Sequence, residues 1–172
     1  LDGKVTMKGL SAKELGLIST LEFEKKYFFT TADIDAFVKN KTQRYNLIKN
    51  LVKKKRIVKL NKSKYFLIPI KAKTGGWSEH PLIVIDEMMN GKNYFVGGWA
   101  AANYWRLTDQ IPFQYDVYTT KRQGQTTLFH ARIVFHRTSK KRISQSTVKI
   151  IHNHSFRIAR LSEMKTWIQL RE

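Results

Sequence analysis

Between Ala36 and Ser78 the chain carries no carboxylate, while Lys39, Lys41, Arg44, Lys49, Lys53, Lys54, Lys55, Arg56, Lys59, Lys62, Lys64, Lys71 and Lys73 all fall inside it. Cations at this density and without local counter-charges cannot be taken into a core, because an unpaired buried charge costs far more than a packed side chain returns. The segment must therefore fold with a narrow apolar stripe inward and a broad basic surface outward. On a 3.6-residue period, Tyr45, Ile48, Leu51 and Val52 fall on one side, and Gln43, Asn46, Lys49, Asn50, Lys53 and Lys54 on the other. Thr42 is the expected N-cap. The outward face thus opens with amide and basic side chains, the types that pair with base edges and phosphates. The plainer alternative is a solvated amphipathic helix.

The flanking sequence favours the first reading. Ser11-Ala12-Lys13-Glu14 has capping-box spacing, and Leu15, Ile18 and Leu21 continue it as a helix over about Ala12 to Glu24. Phe28 and Phe29 read as packing residues in an extended link. Thr30-Thr31 precede a short second helix with Ile34, Phe37 and Val38 inward and Asp33 and Asp35 at its N-terminal dipole. After Arg56 the period falls to two. Ile57 to Leu60 and Tyr65 to Ile68 are β-prone runs around the polar turn Asn61-Lys62-Ser63-Lys64, which predicts a hairpin ended by Pro69. Three helices and a basic-tipped hairpin are the order of a winged helix-turn-helix, in which the third helix enters the major groove.

Whole-chain composition agrees with a polyanionic partner. With 32 Lys+Arg against 13 Asp+Glu, the formal charge is +19, and strong self-repulsion calls for a partner that relieves it. No apolar run approaches the roughly 18 residues of a membrane span, and no signal-peptide pattern opens the chain. A cytoplasmic, nucleoid-associated protein is expected, with no membrane partner. The absence of cysteine excludes disulfides, thiol nucleophiles and thiolate zinc sites.

Lys73-Thr74-Gly75-Gly76-Trp77-Ser78 reads as a linker. The expected domains are 1–72, a linker over 73–79, and 80–172. In the last, Pro81 at a first helical position and Gly91 just past the end suggest a helix of about ten residues, although the run Leu82-Ile83-Val84-Ile85 could instead begin a strand. Tyr94-Phe95-Val96 is extended, Gly97-Gly98 is a corner, and Trp99 to Leu107 is an alanine-bearing helix. Strands are expected over Phe113 to Thr120, Leu128 to Arg137, Thr147 to Ile151 and Phe156 to Ala159, then a helix over Ser162 to Leu170. Within the second strand, Phe129, Ala131, Ile133 and Phe135 are the buried side, and Leu128, His130, Arg132, Val134 and His136 the other. The predicted class is α+β: an N-terminal winged helix-turn-helix followed by an antiparallel sheet domain with helices.

The segment Tyr94 to Pro112, and within it Leu107-Thr108-Asp109-Gln110-Ile111-Pro112, resembles the core of the AbiEi-type antitoxins, transcriptional regulators of abortive-infection toxin-antitoxin systems. Arg106 stands where that family usually has Gly. The basic helix and wing also fit, with Leu51 to Leu60 and Tyr65 ending the wing. The resemblance implies a DNA-binding N-terminal domain that represses its own operon, and a C-terminal domain associated with neutralising a nucleotidyltransferase-like toxin.

From the residues, the expected base contacts are Gln43, Arg44, Asn46 and Asn50, and the expected phosphate contacts are Lys41, Lys49, Lys53, Lys62 and Lys64. The expected partner is a double-stranded operator, with no cofactor, metal or catalytic residue. Two rivals remain: an RNA-binding module, and a metal-dependent nuclease drawing on Asp86, Glu87, Asp109, Asp116 or Glu163 in the C-terminal sheet. The run His152-Asn153-His154 spells a nuclease motif, but three consecutive residues carry no metal geometry. On a strand, His152 and His154 would share a face, as would His130 and His136. Trp99 and Trp105 read as core rather than as a stacking platform.

Overall fold

A computed structural model describes residues 9–72 and 79–171, which belong to two compact units dividing at 78/79. The expected linker over 73–78 lies outside the described residues. The chain is α+β, with helices and two sheets.

The first unit begins with α1 (Ala12–Phe23), capped as its sequence demands: the Ser11 side chain accepts from the Glu14 N–H while the Glu14 carboxylate accepts from the Ser11 N–H. Phe28 and Phe29 do more than link, since Phe28–Thr30 is a strand, β1. The expected second helix is only a 3-10 turn, Ala32–Ile34. Asp33 lies in its first turn as expected, and its carboxylate accepts from the Thr30 N–H and hydroxyl. Next comes α2 (Lys41–Lys53), two residues earlier than expected because Asn40, not Thr42, is the N-cap, its side chain accepting from the Gln43 N–H. The hairpin is β2 (Ile57–Lys59) and β3 (Lys64–Leu67). With β1 it makes a three-stranded antiparallel sheet in the order β1-β3-β2. Leu17, Ile18 and Leu21 of α1, Ile34 and Val38, Leu47, Ile48 and Leu51 of α2, and Phe29, Ile57, Tyr65 and Leu67 of the sheet form one core.

The second unit holds α3 (Pro81–Met89), β4 (Tyr94–Gly97), α4 (Gly98–Tyr104), β5 (Gln114–Thr119), β6 (Gly124–Leu128), β7 (Ala131–Arg137), α5 (Lys140–Ser144), β8 (Thr147–Ile151), β9 (His154–Ile158) and α6 (Leu161–Gln169). The sheet is mixed, not antiparallel. Its order is β6-β7-β5-β4-β9-β8, with β5 parallel to β7 and β4 parallel to β9. The central pair β4–β5 is antiparallel. A hairpin docks on each side of it, and in each case the later strand of the hairpin lies against the centre while the earlier one forms the sheet edge.

The first of these hairpins is hidden by its turn, while the break after Ile151 falls where the sequence puts it. The expected strand Leu128 to Arg137 is two strands, because Phe129 and His130 turn back with φ of +49 and +73. His152 and Asn153 do the same at +47 and +64, so His152 sits in a turn rather than sharing a strand face with His154. Two-residue hairpin loops with both φ positive are normally marked by Asn-Gly or Asp-Gly, and neither sequence carries that mark. Ile133 and Phe135 are buried as their alternation predicts, but Leu128 and His130 do not continue the face of β7.

Helix ends hide in the same way. Lys25, Lys55 and Arg106 occupy the left-handed position after α1, α2 and α4, each helix closing with a pair of reverse hydrogen bonds: Arg106 N–H to Asn103 O at 2.9 Å and Leu107 N–H to Ala102 O at 2.9 Å in the last case. At φ +55, Arg106 occupies a conformation that Gly takes without penalty. Arg106→Gly is therefore expected to stabilise the protein by roughly 0.5–1 kcal/mol, read from chemical denaturation, and a variant less stable than the parent would contradict the assignment of strain at this position.

Candidate nucleic-acid interface

Only three residues of α2, Leu47, Ile48 and Leu51, are buried. The sequence expectation put Tyr45 and Val52 inward as well. Instead the inward stripe is shifted, leaving Tyr45 65% and Val52 39% exposed. The three leucine and isoleucine side chains suffice because α1, the 3-10 turn and the sheet all close on them. A stripe this narrow leaves most of the helix circumference in contact with solvent.

Ion pairs pin both ends of the helix. At the C-terminal end, the Lys54 ammonium donates to the Glu14 carboxylate at 2.6 Å and to the Gly9 carbonyl at 2.9 Å. Glu14 is buried, 2% exposed, and also accepts from the Ser11 N–H at 2.6 Å. Burial alone would raise its carboxyl pKa, but the hydrogen bonds from Lys54 and from the Ser11 N–H and hydroxyl outweigh it, and the net shift is downward. At the N-terminal end, the Arg44 guanidinium pairs with Asp35 and reaches the Val38 carbonyl at 3.5 Å. Arg44, expected to read a base, is thus turned toward the preceding turn with only 15% of its side chain exposed.

The other expected residues lie where the sequence placed them on the helix. Lys41, Gln43, Asn46, Lys49, Asn50 and Lys53 are all exposed. Gln43, Asn46 and Asn50 line a shallow groove toward the start of α1. Lys41, Tyr45, Lys49 and Val52 line a groove of about 330 Å³ on the opposite flank, toward Lys59 and Tyr65 of the sheet. Sequence reasoning missed Tyr45 as a surface group, because an aromatic at helical spacing from Ile48 and Val52 carries the same signal as a core residue.

The hairpin tip is closed by hydrogen bonds to Asn61. The Asn61 side-chain oxygen accepts from the Ser63 N–H at 3.0 Å and the Lys64 N–H at 2.9 Å. Lys62 is exposed at the apex, whereas Lys64 is half-buried in β3, opposite Thr30. The two lysines expected to act together are therefore not equivalent.

In the second unit, Asp86, Asp116 and Glu163 are engaged with neighbours. Asp86 accepts from the buried Tyr94 hydroxyl at 2.6 Å and lies 2.9 Å from His154 Nε2. Burial and the bond to Asp86 push the Tyr94 phenol well above its ordinary range, so it remains a neutral donor. Asp116 is 2.7 Å from His136 Nε2 and accepts from the Gln114 amide at 3.1 Å. Glu163 pairs with Arg142 at 2.8 Å. Asp109 is exposed in the irregular segment between α4 and β5, where the flanking carbonyls of Thr108 and Gln110 accept from the Asn103 amide at 3.4 and 3.0 Å. Among the described residues no three His, Asp or Glu side chains converge in a metal-holding group. Trp105 donates to the Ala159 carbonyl at 2.9 Å, a packed position, while Trp99 is half in solvent and edge-on to Trp167. No helix among the described residues is long and apolar enough to cross a membrane. No protein-family model and no curated protein matches this chain.

The Glu14–Lys54 contact joins the end of α2 to the start of α1, and its loss has a defined signature. A carboxylate whose folded pKa is depressed contributes stability that is complete above the ordinary value of 4.5 and is lost as pH falls through the lower folded value. Glu14→Gln is expected to cost roughly 2–3 kcal/mol at neutral pH by leaving Lys54 partly buried without its counter-charge. It should also flatten the acid limb of the stability profile below 4.5. Denaturant titrations across pH check both, and a variant matching the parent at neutral pH would contradict this role for the pair.

Proposed function

We propose that the chain is a sequence-selective, double-stranded DNA-binding regulator, with 9–72 acting as a winged helix-turn-helix. The observation that carries this reading is the placement of Gln43, Asn46, Lys49, Asn50 and Lys53 on the exposed surface of α2 while Arg44 and Lys54 brace its two ends. The element order α1, β1, 3-10 turn, α2, β2, β3, with strands in the order β1-β3-β2, supports it. In this reading α2 enters the major groove and the Asn61–Lys64 tip follows the backbone.

The roles divide by chemistry. Asn46, Gln43 and Asn50 carry amides able to make paired hydrogen bonds to adenine edges. Arg44 keeps a positioning role, since its guanidinium is engaged by Asp35. Lys41, Lys49, Lys53 and Lys62 stand exposed to meet phosphates, with Lys64 beside the tip. Four to five such contacts give a salt slope on the order of −4. Repression of its own operon and neutralisation of a nucleotidyltransferase-like toxin rest on the resemblance of Tyr94 to Pro112, and a cytoplasmic, nucleoid-associated location follows from DNA binding in this reading. No catalytic step is assigned to the chain.

A bound duplex sequence is first selected from a random pool, and its affinity is then compared with that of a structured RNA at equal salt. The duplex is expected to win. Lys49→Ala with Lys53→Ala should weaken all sequences alike and reduce the salt slope by about two. Asn46→Ala should instead relax preference at one base pair, by roughly 1–3 kcal/mol, and leave the slope unchanged. Preference for RNA, or variants that bind as the parent does, would overturn the proposal.

A further inference from the structure

A cavity of about 380 Å³ opens in the second unit between the turn after α3, the start of α5 and β9. We propose that it is a binding site for a phosphate group, carried either by a small phosphorylated molecule or by a nucleic-acid backbone, and it stands independently of the reading of the first unit. Three cations line it from three separate elements: Lys92 in the turn, Lys140 opening α5 and Arg157 on β9. None of the three is in an ion pair with a carboxylate among the described residues. Among the described residues its lining contains no acid.

Converging like charges repel, and a fold that holds three of them around one space is relieved when an anion enters. The framework behind them is fixed. The Arg157 N–H donates to the buried Tyr94 hydroxyl at 3.1 Å, which itself donates to Asp86, so the strand position of Arg157 is anchored. Its guanidinium, by contrast, has one acceptor among the described residues, the Ser146 hydroxyl, at 3.5 Å. That leaves most of its donor fork for a ligand. Asp86, 3.9 Å from where a Gly91 Cβ would sit, is already engaged by Tyr94 and His154. Asn93, at φ +58, adds an amide at the rim, and Ile143, 8% exposed, gives an apolar wall. The volume lies within the range of small-molecule sites and exceeds that of a bare phosphate, leaving room for an attached group.

Calorimetry on the full chain with adenosine monophosphate, a phosphomonoester, and with dithymidine phosphate, a phosphodiester, tests the site. Lys92→Ala with Lys140→Ala is compared with Lys121→Ala with Lys165→Ala, which removes equal charge from exposed positions outside the cavity. At least one probe is expected to bind the parent, to bind the cavity variant about tenfold or more weakly, and to bind the control variant as the parent. Preference for the monoester identifies a free phosphorylated molecule as the source, and preference for the diester a nucleic-acid backbone. Should the double variant lose its circular dichroism, Lys92→Glu alone, at an exposed turn residue, repeats the comparison. Equal weakening in cavity and control variants, or no binding of either probe to the parent, overturns the proposal.

Discussion

The first unit depends on how α2 is held by only three buried side chains. Leu47, Ile48 and Leu51 supply its apolar contact, worth roughly 2 kcal/mol each at full burial, and so narrow a stripe cannot by itself fix the helix about its axis. Two charge pairs do so: Lys54 with Glu14 ties its end to the start of α1, and Arg44 with Asp35 ties its beginning to the 3-10 turn. The basic residues of the helix therefore fall into two groups. Arg44 and Lys54 are engaged in holding the fold, while Lys41, Lys49 and Lys53 remain exposed. Surface charge that the fold does not consume is what a polyanionic partner can use.

The second unit solves a different problem. Its central antiparallel pair is extended on both sides by hairpins that attach through their later strands, giving a mixed sheet with β6 and β8 at its edges. Buried polar groups then fasten the helices to that sheet. The Tyr94 hydroxyl bridges Asp86 of α3 and the Arg157 N–H of β9, and the Trp105 indole reaches the Ala159 carbonyl. His80 caps α3 by accepting from the Leu82 N–H at 3.3 Å. Burial, with the nearby His152 in support, lowers its pKa and keeps the accepting ring neutral.

Much of this was legible in the chain. Ser11 and Glu14 announced α1, Pro81 announced α3, and the change of period after Arg56 announced the hairpin, because each signal is local and its physics is short-ranged. The start of α2 was misplaced because Asn40 and Thr42 are both competent caps two residues apart. The break after Ile151 fell where the sequence put it, but Phe129-His130 turns the chain inside one continuous apolar alternation and without an Asn-Gly or Asp-Gly pair, so the β6–β7 hairpin, and with it the strand directions, could not be read. In the candidate interface, the periodic pattern located the exposed amides and lysines but misplaced Tyr45 and Arg44. Helical period says which residues share a face. It does not say that Asp35 will draw a guanidinium inward, or that three aliphatic side chains will fill the core before a tyrosine is needed.

Amide hydrogen exchange of the full chain, with and without a selected duplex, reads out whether α2 and the hairpin tip meet DNA. Added duplex is expected to slow exchange across Lys41 to Lys53 and at the Asn61 to Lys64 tip. Slowing confined to residues after 79, with α2 and the tip unchanged, would contradict it.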